Sequence, residues 1–127
     1  MTVLLDESVP LQLAYRLPGH GVETVRSMSW LGVQNGSLMR LVGEFFEVFI
    51  TADKNMMYQQ STQSLPFSLI VLSTNSWPIL KQHLPLIREA IETTPAGEIR
   101  ELDCGKFLSA KQRRKQQQKS VRPTQDE

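Results

Sequence analysis

Short apolar runs alternating with helix-type spacings organise this chain. Residues 2–5 are apolar, β-branched at two positions, and read as a buried strand. Ser8 is placed to cap a helix with Pro10 in its first turn. Pro10, Leu13, Ala14 and Leu17 then share one face, and Pro18 and Gly19 stop it. Residues 22–25 alternate as a second strand. Turn chemistry covers 28–36 and ends in Asn35-Gly36. Ser37 is the expected cap of the next helix, where Leu38, Leu41, Val42 and Phe45 recur at i, i+3, i+4 and i+7. Residues 48–50 form a third strand, 56–63 allow one or two helical turns, and 67–72 form a fourth strand. The longest helical pattern is 77–93, with Leu80, Leu84, Ile87 and Ile91 on its face and Pro85 as a kink or early break. After a turn at 95–97, residues 98–102 read as a final strand at a sheet edge. Phe45, Phe46, Phe49 and Phe67 sit in apolar runs and are expected in the core.

This βα alternation predicts an α/β protein. The expected architecture is a three-layer α/β/α sandwich around a mainly parallel sheet, with helices on both faces. With 127 residues, one domain over 1–108 is expected, followed by a basic tail over 109–127. The apolar runs are far too short to span a membrane, and no secretory signal pattern opens the chain. Cys104 is the lone cysteine, which excludes an internal disulfide framework or a cysteine-based zinc cluster. A cytoplasmic protein is the expectation.

Charge changes the picture more than composition does. The net charge is +1, yet residues 109–127 hold six Lys/Arg against two Asp/Glu, leaving eight basic and eleven acidic residues elsewhere. An acidic body thus carries a basic, Gln-rich tail with almost no apolar residues, for which disorder is the default. The tail is either a solvated extension or an RNA-contacting arm using Lys111, Arg113, Arg114, Lys115 and Lys119 on phosphates. It is also placed to lie across an acidic site in cis.

Acids follow the strands. Asp6 and Glu7 lie just past the first strand, Asp53 just past the third, and Asp103 past the last. In open parallel sheets, ligands sit outside the carboxyl ends of the strands. Central, parallel first and third strands would bring these carboxylates to one edge. Clustered carboxylates repel unless a cation compensates, and hard oxygen donors suit Mg2+ or Mn2+. Such a centre cleaves phosphodiesters. Thr51 could add a hydroxyl there, and Lys54 could contact a phosphate or pair with the acids. Each acid taken singly also has a plain reading as a helix cap or a solvated loop residue. His20 and His83 are isolated and read as packed or half-exposed side chains. Cys104 reads as a small buried hydrophobe, and Trp30 and Tyr58 as candidate groove residues.

These residues carry a family resemblance. Leu4-Leu5-Asp6-Glu7-Ser8-Val9-Pro10 resembles the L-L-D-E-x-L-P opening of small PIN-like proteins, relatives of VapC-type ribonuclease toxins. Gly19-His20-Gly21 closes the first helix as in that family, and Val22-Glu23-Thr24-Val25 follows its V-x-T-V strand. Gly32-Val33-Gln34-Asn35-Gly36-Ser37-Leu38 is similar to its G-x-x-D-x-x-I/L helix opening. Thr51-Ala52-Asp53-Lys54-Asn55-Met56 is similar to its T-x-D-K-D-F segment. The likeness covers about the first 75 residues; beyond Pro78 only the helix-then-strand layout matches. It implies a PIN-like fold and a Mg2+- or Mn2+-dependent endoribonuclease. It also implies a toxin with a cognate antitoxin partner. By the same likeness Asp6 is a metal ligand, Glu7 its catalytic neighbour and Asp53 the second ligand. The chain departs from the pattern at Asn35 and Asn55, where acids are expected, and at Met56. Each asparagine keeps a carbonyl donor but loses a negative charge.

Three classes therefore stand: a metal-dependent toxin-type ribonuclease, an impaired PIN-like binding module for a protein or RNA, and a phospho-receiver. The last lacks a suitable lysine after a fifth strand. A homo-oligomer is compatible with each.

Overall fold

Five strands form one sheet in a computed structural model, which describes the backbone of residues 1–59 and 65–104 and, except at 57–59, their side chains. They are β1 (Thr2–Leu5), β2 (Gly21–Thr24), β3 (Val48–Thr51), β4 (Ser68–Leu72) and β5 (Ile99–Leu102). Their order is β2-β1-β3-β4-β5, and every pair is parallel. The register aligns Leu5 with Thr24 on one side and with Ile50 on the other. A parallel sheet needs helical crossovers and apolar strands, and this chain has both. β1, β3 and β4 are buried along nearly their whole length, while β5 is an edge, as its mixed pattern predicts.

Strand pleating sends alternate side chains to opposite faces. Val3, Leu5, Val48, Ile50, Ile70 and Leu72 accordingly join one buried cluster with Leu13, Leu17, Leu80, Ile87 and Ile91. Leu4, Phe49, Leu69 and Val71 join the other, with Leu38, Met39, Val42, Met56 and Phe67. Phe49 and Phe67 meet edge-to-face at 6.2 Å between ring centroids.

The helical segments depart from expectation in instructive ways. Residues Leu11–Arg16 form a 3-10 helix rather than an α-helix. Pro10 and Pro18 bracket it, and Ser8 does not cap it. Leu13 and Leu17 are still buried. Gly19 then turns the chain at φ +85°, a conformation glycine adopts without strain. Helix α1 (Asn35–Phe45) begins two residues before the expected Ser37 cap, after an extended Gln34 whose side chain makes no capping bond. Its buried residues are Leu38, Met39 and Val42, and Phe45 is 57 % exposed. The expected core position of Phe45 is taken by Phe46. That residue leaves the helix with extended backbone and turns its ring inward.

Helix α2 (Lys54–Gln59) starts directly after Asp53. The remainder of the anticipated 56–63 helix and the side chain of Tyr58 lie outside the described residues. The 77–93 pattern is broken into α3 (Trp77–Leu80), a 3-10 turn over Lys81–His83, and α4 (Leu84–Thr93). Pro85 occupies the first turn of α4, where its missing N–H costs nothing, so it marks a break rather than a kink. Among the described residues, no helix is long and apolar enough to cross a membrane. Residues 105–127, and with them the anticipated tail, lie outside the described residues.

Candidate functional site

Winding from β1 goes outward in both directions, to β2 on one side and to β3, β4 and β5 on the other. The strand order reverses between β1 and β3, so a crevice opens between their carboxyl ends. Asp6 follows β1 directly at this switch point. Its N–H continues the ladder to Ile50 O at 2.9 Å, which fixes the backbone at the moment it leaves the sheet. The Asp6 side chain is only 8 % exposed. A carboxylate this far from water needs compensation.

Two hydroxyls supply that compensation. Ser8 Oγ donates to Asp6 Oδ2 at 2.6 Å and Thr51 Oγ1 donates to the same oxygen at 2.9 Å. The Ser8 N–H adds a long contact of 3.4 Å. The two hydroxyls also accept. Ala52 N–H donates to Ser8 Oγ and Asp53 N–H to Thr51 Oγ1, each at 3.0 Å. Asp6 is therefore linked through single hydroxyls to the loop that follows β3. Asp53, half-buried, accepts the Asn55 N–H on Oδ1 at 3.0 Å and so fixes the start of α2.

The other expected residues spread along the same edge. Glu7 points outward and is exposed. Asn35 is the first residue of α1 and half-buried; Asn55 is exposed in the first turn of α2. α1 leads into parallel β3, so its first residue lies toward the carboxyl ends of the strands. Lys54 Nζ reaches Glu101 Oε2 on β5 at 3.8 Å. A cavity of about 280 Å³ lies between them, lined by Lys54, Ser73, Glu101 and Asp103. Asp103 thus joins the edge, since β5 runs parallel, but it lies two strands from β3. Among the described residues, no group of three or more His, Cys, Asp or Glu side chains gathers as a metal cluster. What the hydroxyls join is one carboxylate, Asp6, to the backbone N–H groups of Ala52 and Asp53 in the loop after β3.

Two participants escape the sequence reading. Ser8 looks like a helix cap, yet serves Asp6 and Ala52; its signal is the Asp-x-Ser spacing, which favours a local side-chain turn. Glu101 has no signal before the parallel register brings β5 into place. His20 and His83 are packed as expected: His20 Nε2 lies 3.6 Å from Glu92 Oε2, and His83 Nδ1 is 3.0 Å from Ile79 O. Trp30 packs partly into the core against Phe46. Cys104 is buried, and burial, followed by the charge of Asp103, pushes its thiol up from the usual 9.0, which makes it a poor nucleophile.

Compared with known proteins, the chain matches no family model, no curated protein sequence and no solved structure.

Proposed function

We propose that this is a PIN-like protein with a three-layer α/β/α body over residues 1–108, acting as a divalent-metal-dependent endoribonuclease. It would be the toxin of a toxin–antitoxin pair, with its antitoxin as protein partner. The observation that carries this reading is Asp6: a buried carboxylate in the crevice between β1 and β3, held by two hydroxyls and tied to the Asp53 loop.

The donor set fits Mg2+ or Mn2+ in the form that uses one or two carboxylates and completes its shell with water and substrate phosphate. Asp6 and Asp53 would hold the ion. When bound, it supplies Lewis-acid activation of water and neutralises charge on a phosphoryl oxygen. The chain's own residues do the positioning. Ser8 and Thr51 fix the Asp6 carboxylate through Oδ2, and Thr51 sets the Asp53 loop against it. Lys54 has a weak partner in Glu101, because both side chains are nearly half exposed at 47 % and 46 %. It is therefore available to an RNA phosphate. Glu7 and Asp103 add negative charge along the edge, while Asn35 and Asn55 add none. Lys111, Arg113, Arg114, Lys115 and Lys119 would hold the RNA backbone by phosphate charge.

The test is RNA cleavage by the full chain with Mn2+ or Mg2+, alongside Asp6→Asn and Asp53→Asn. Cleavage should require the metal and vanish in Asp6→Asn. Cleavage that survives both chelation and Asp6→Asn rules the assignment out.

A second reading has its own support: the absence of a three-acid group among the described residues favours a PIN-like module that binds RNA or a partner without cutting. It predicts that saturating Mn2+ leaves the melting temperature unchanged.

A further inference from the structure

Asp6 uses its two carboxylate oxygens differently. Oδ2 accepts both hydroxyls, from Ser8 Oγ at 2.6 Å and from Thr51 Oγ1 at 2.9 Å. Oδ1 has no hydrogen-bond partner among the described residues, although Asp6 is only 8 % exposed. Thr94 Oγ1 is the sole unpartnered side-chain oxygen closed to solvent among those residues, so Asp6 Oδ1 keeps an opening. An open carboxylate oxygen on a buried residue, with no donor of its own, calls for a cation.

Asp53 is in a similar position. Its Oδ1 accepts the Asn55 N–H at 3.0 Å, and its Oδ2 has no partner among the described residues. Each acid therefore offers one free oxygen. The two hydroxyls already give their hydrogens to Asp6 and accept the N–H groups of Ala52 and Asp53. That donor set is far from filling an octahedral shell. Charge is short as well. Asn55 is neutral, and Lys54 puts a positive charge next to Asp53. No group of three or more His, Cys, Asp or Glu side chains forms among the described residues. Affinity for a hard dication rises with the charge of its ligands, and Mg2+ sites commonly combine one or two carboxylates with a substrate phosphate.

Resting on the metal-dependent ribonuclease reading above, we propose that the metal ion and RNA bind the carboxyl edge cooperatively. The chain alone holds Mn2+ or Mg2+ weakly, through Asp6 Oδ1 and Asp53 Oδ2. It holds the ion firmly once an RNA phosphate adds a further oxygen and negative charge. Linkage makes the effect mutual, so the ion tightens RNA by the same factor. Metal loading is in this way conditional on substrate.

Mn2+ titration of the full chain, followed by the electron paramagnetic resonance signal of the free ion, tests the proposal. It is run alone and with a 2′-O-methyl oligoribonucleotide, chosen to resist cleavage. The oligonucleotide without protein corrects for the ions it holds itself. Mn2+ affinity should rise roughly tenfold or more in its presence, within the usual span of coupling between two ligands. Fluorescence anisotropy of the labelled oligonucleotide should show the reciprocal gain with Mn2+. Both gains should vanish in Asp6→Asn and shrink in Asp53→Asn, variants that keep every basic residue. Asn55→Asp should raise Mn2+ affinity without RNA and reduce the coupling. Tight Mn2+ binding that the oligonucleotide leaves unchanged overturns the cooperativity and leaves the metal-dependent nuclease standing. Mn2+ binding by neither the free chain nor its complex overturns both. A gain that persists in Asp6→Asn puts the ion on the RNA rather than on this edge, and also overturns the proposal.

Discussion

Replacing Thr51 by valine tests the core of the carboxyl-edge site with almost no change of shape. Thr51 is fully buried, and its hydroxyl both donates to Asp6 Oδ2 at 2.9 Å and accepts the Asp53 N–H at 3.0 Å. Losing a hydrogen bond to a charged acceptor costs about 1.5–3 kcal/mol. Asp53 is half-buried, so water can replace its lost acceptor at small cost. The added methyl returns a fraction of about 0.8 kcal/mol, since its surroundings are packed for a hydroxyl. The expected net loss is about 2 kcal/mol, which lowers the melting temperature by roughly 9 °C for a domain of about 108 residues. Urea unfolding followed by far-UV circular dichroism should show a lower midpoint with an unchanged slope. Thr51→Ser, which keeps the hydroxyl, should lose only the packing of one methyl. A Thr51→Val loss below about 0.5 kcal/mol would mean that the hydroxyl does not compensate Asp6, and the site as described would fall with it.

Four further outcomes follow from other parts of the molecule. Gly43→Ala should destabilise although alanine favours helices. A Cβ there meets the Pro66 ring at 2.6 Å, and overpacking of about 1–3 kcal/mol outweighs a propensity gain of about 1; thermal melting of the single variant reads the sign. The Thr2 N–H, aided by the Thr2 hydroxyl, holds the Glu47 carboxyl below its ordinary 4.5. Its stabilisation is therefore present above that pH and lost as pH falls through the lower folded value, so the stability gap between wild type and Glu47→Gln should close on acidification. Cys104 should resist iodoacetamide in the native protein and react on unfolding in urea; fast native alkylation would contradict its buried thiol. Removing residues 109–127 should flatten the salt dependence of RNA binding. Five phosphate contacts contribute about −3.5 to the log–log slope at about −0.7 each, and an unchanged slope removes the arm.

The strands were legible because each is a short apolar run bounded by turn residues, and β1, β3 and β4 are buried on both faces. Their burial also made the parallel sheet readable, since parallel sheets need such strands. Helix details were less legible. Leu38, Leu41, Val42 and Phe45 satisfy a helical period, and the core takes Leu38 and Val42 from it, but Met39 and Phe46 rather than Leu41 and Phe45 complete the buried face. The chain leaves the helix at Phe46, and an exit from a helix is set by tertiary packing rather than by period. At the site, Asp6 and Asp53 could be found from their position after strands. Ser8 could not, because a serine three residues past a strand and two before a proline carries the same local signature as a helix cap. Glu101 needed the register of β5, which no local pattern encodes.

The uniform direction of the five strands gives the two ends of the described chain separate meanings. Met1 lies at the amino edge beside a cleft lined by Glu47 and Thr94. Cys104 is pinned at the carboxyl edge, its N–H donating to Ser73 Oγ at 2.8 Å. Anything fused ahead of Met1 crowds the amino edge and leaves the carboxyl edge, the length of the strands away, open. A bulky amino-terminal fusion is therefore a crude, reversible blocking experiment that needs no point mutation. It separates the two edges by sterics alone.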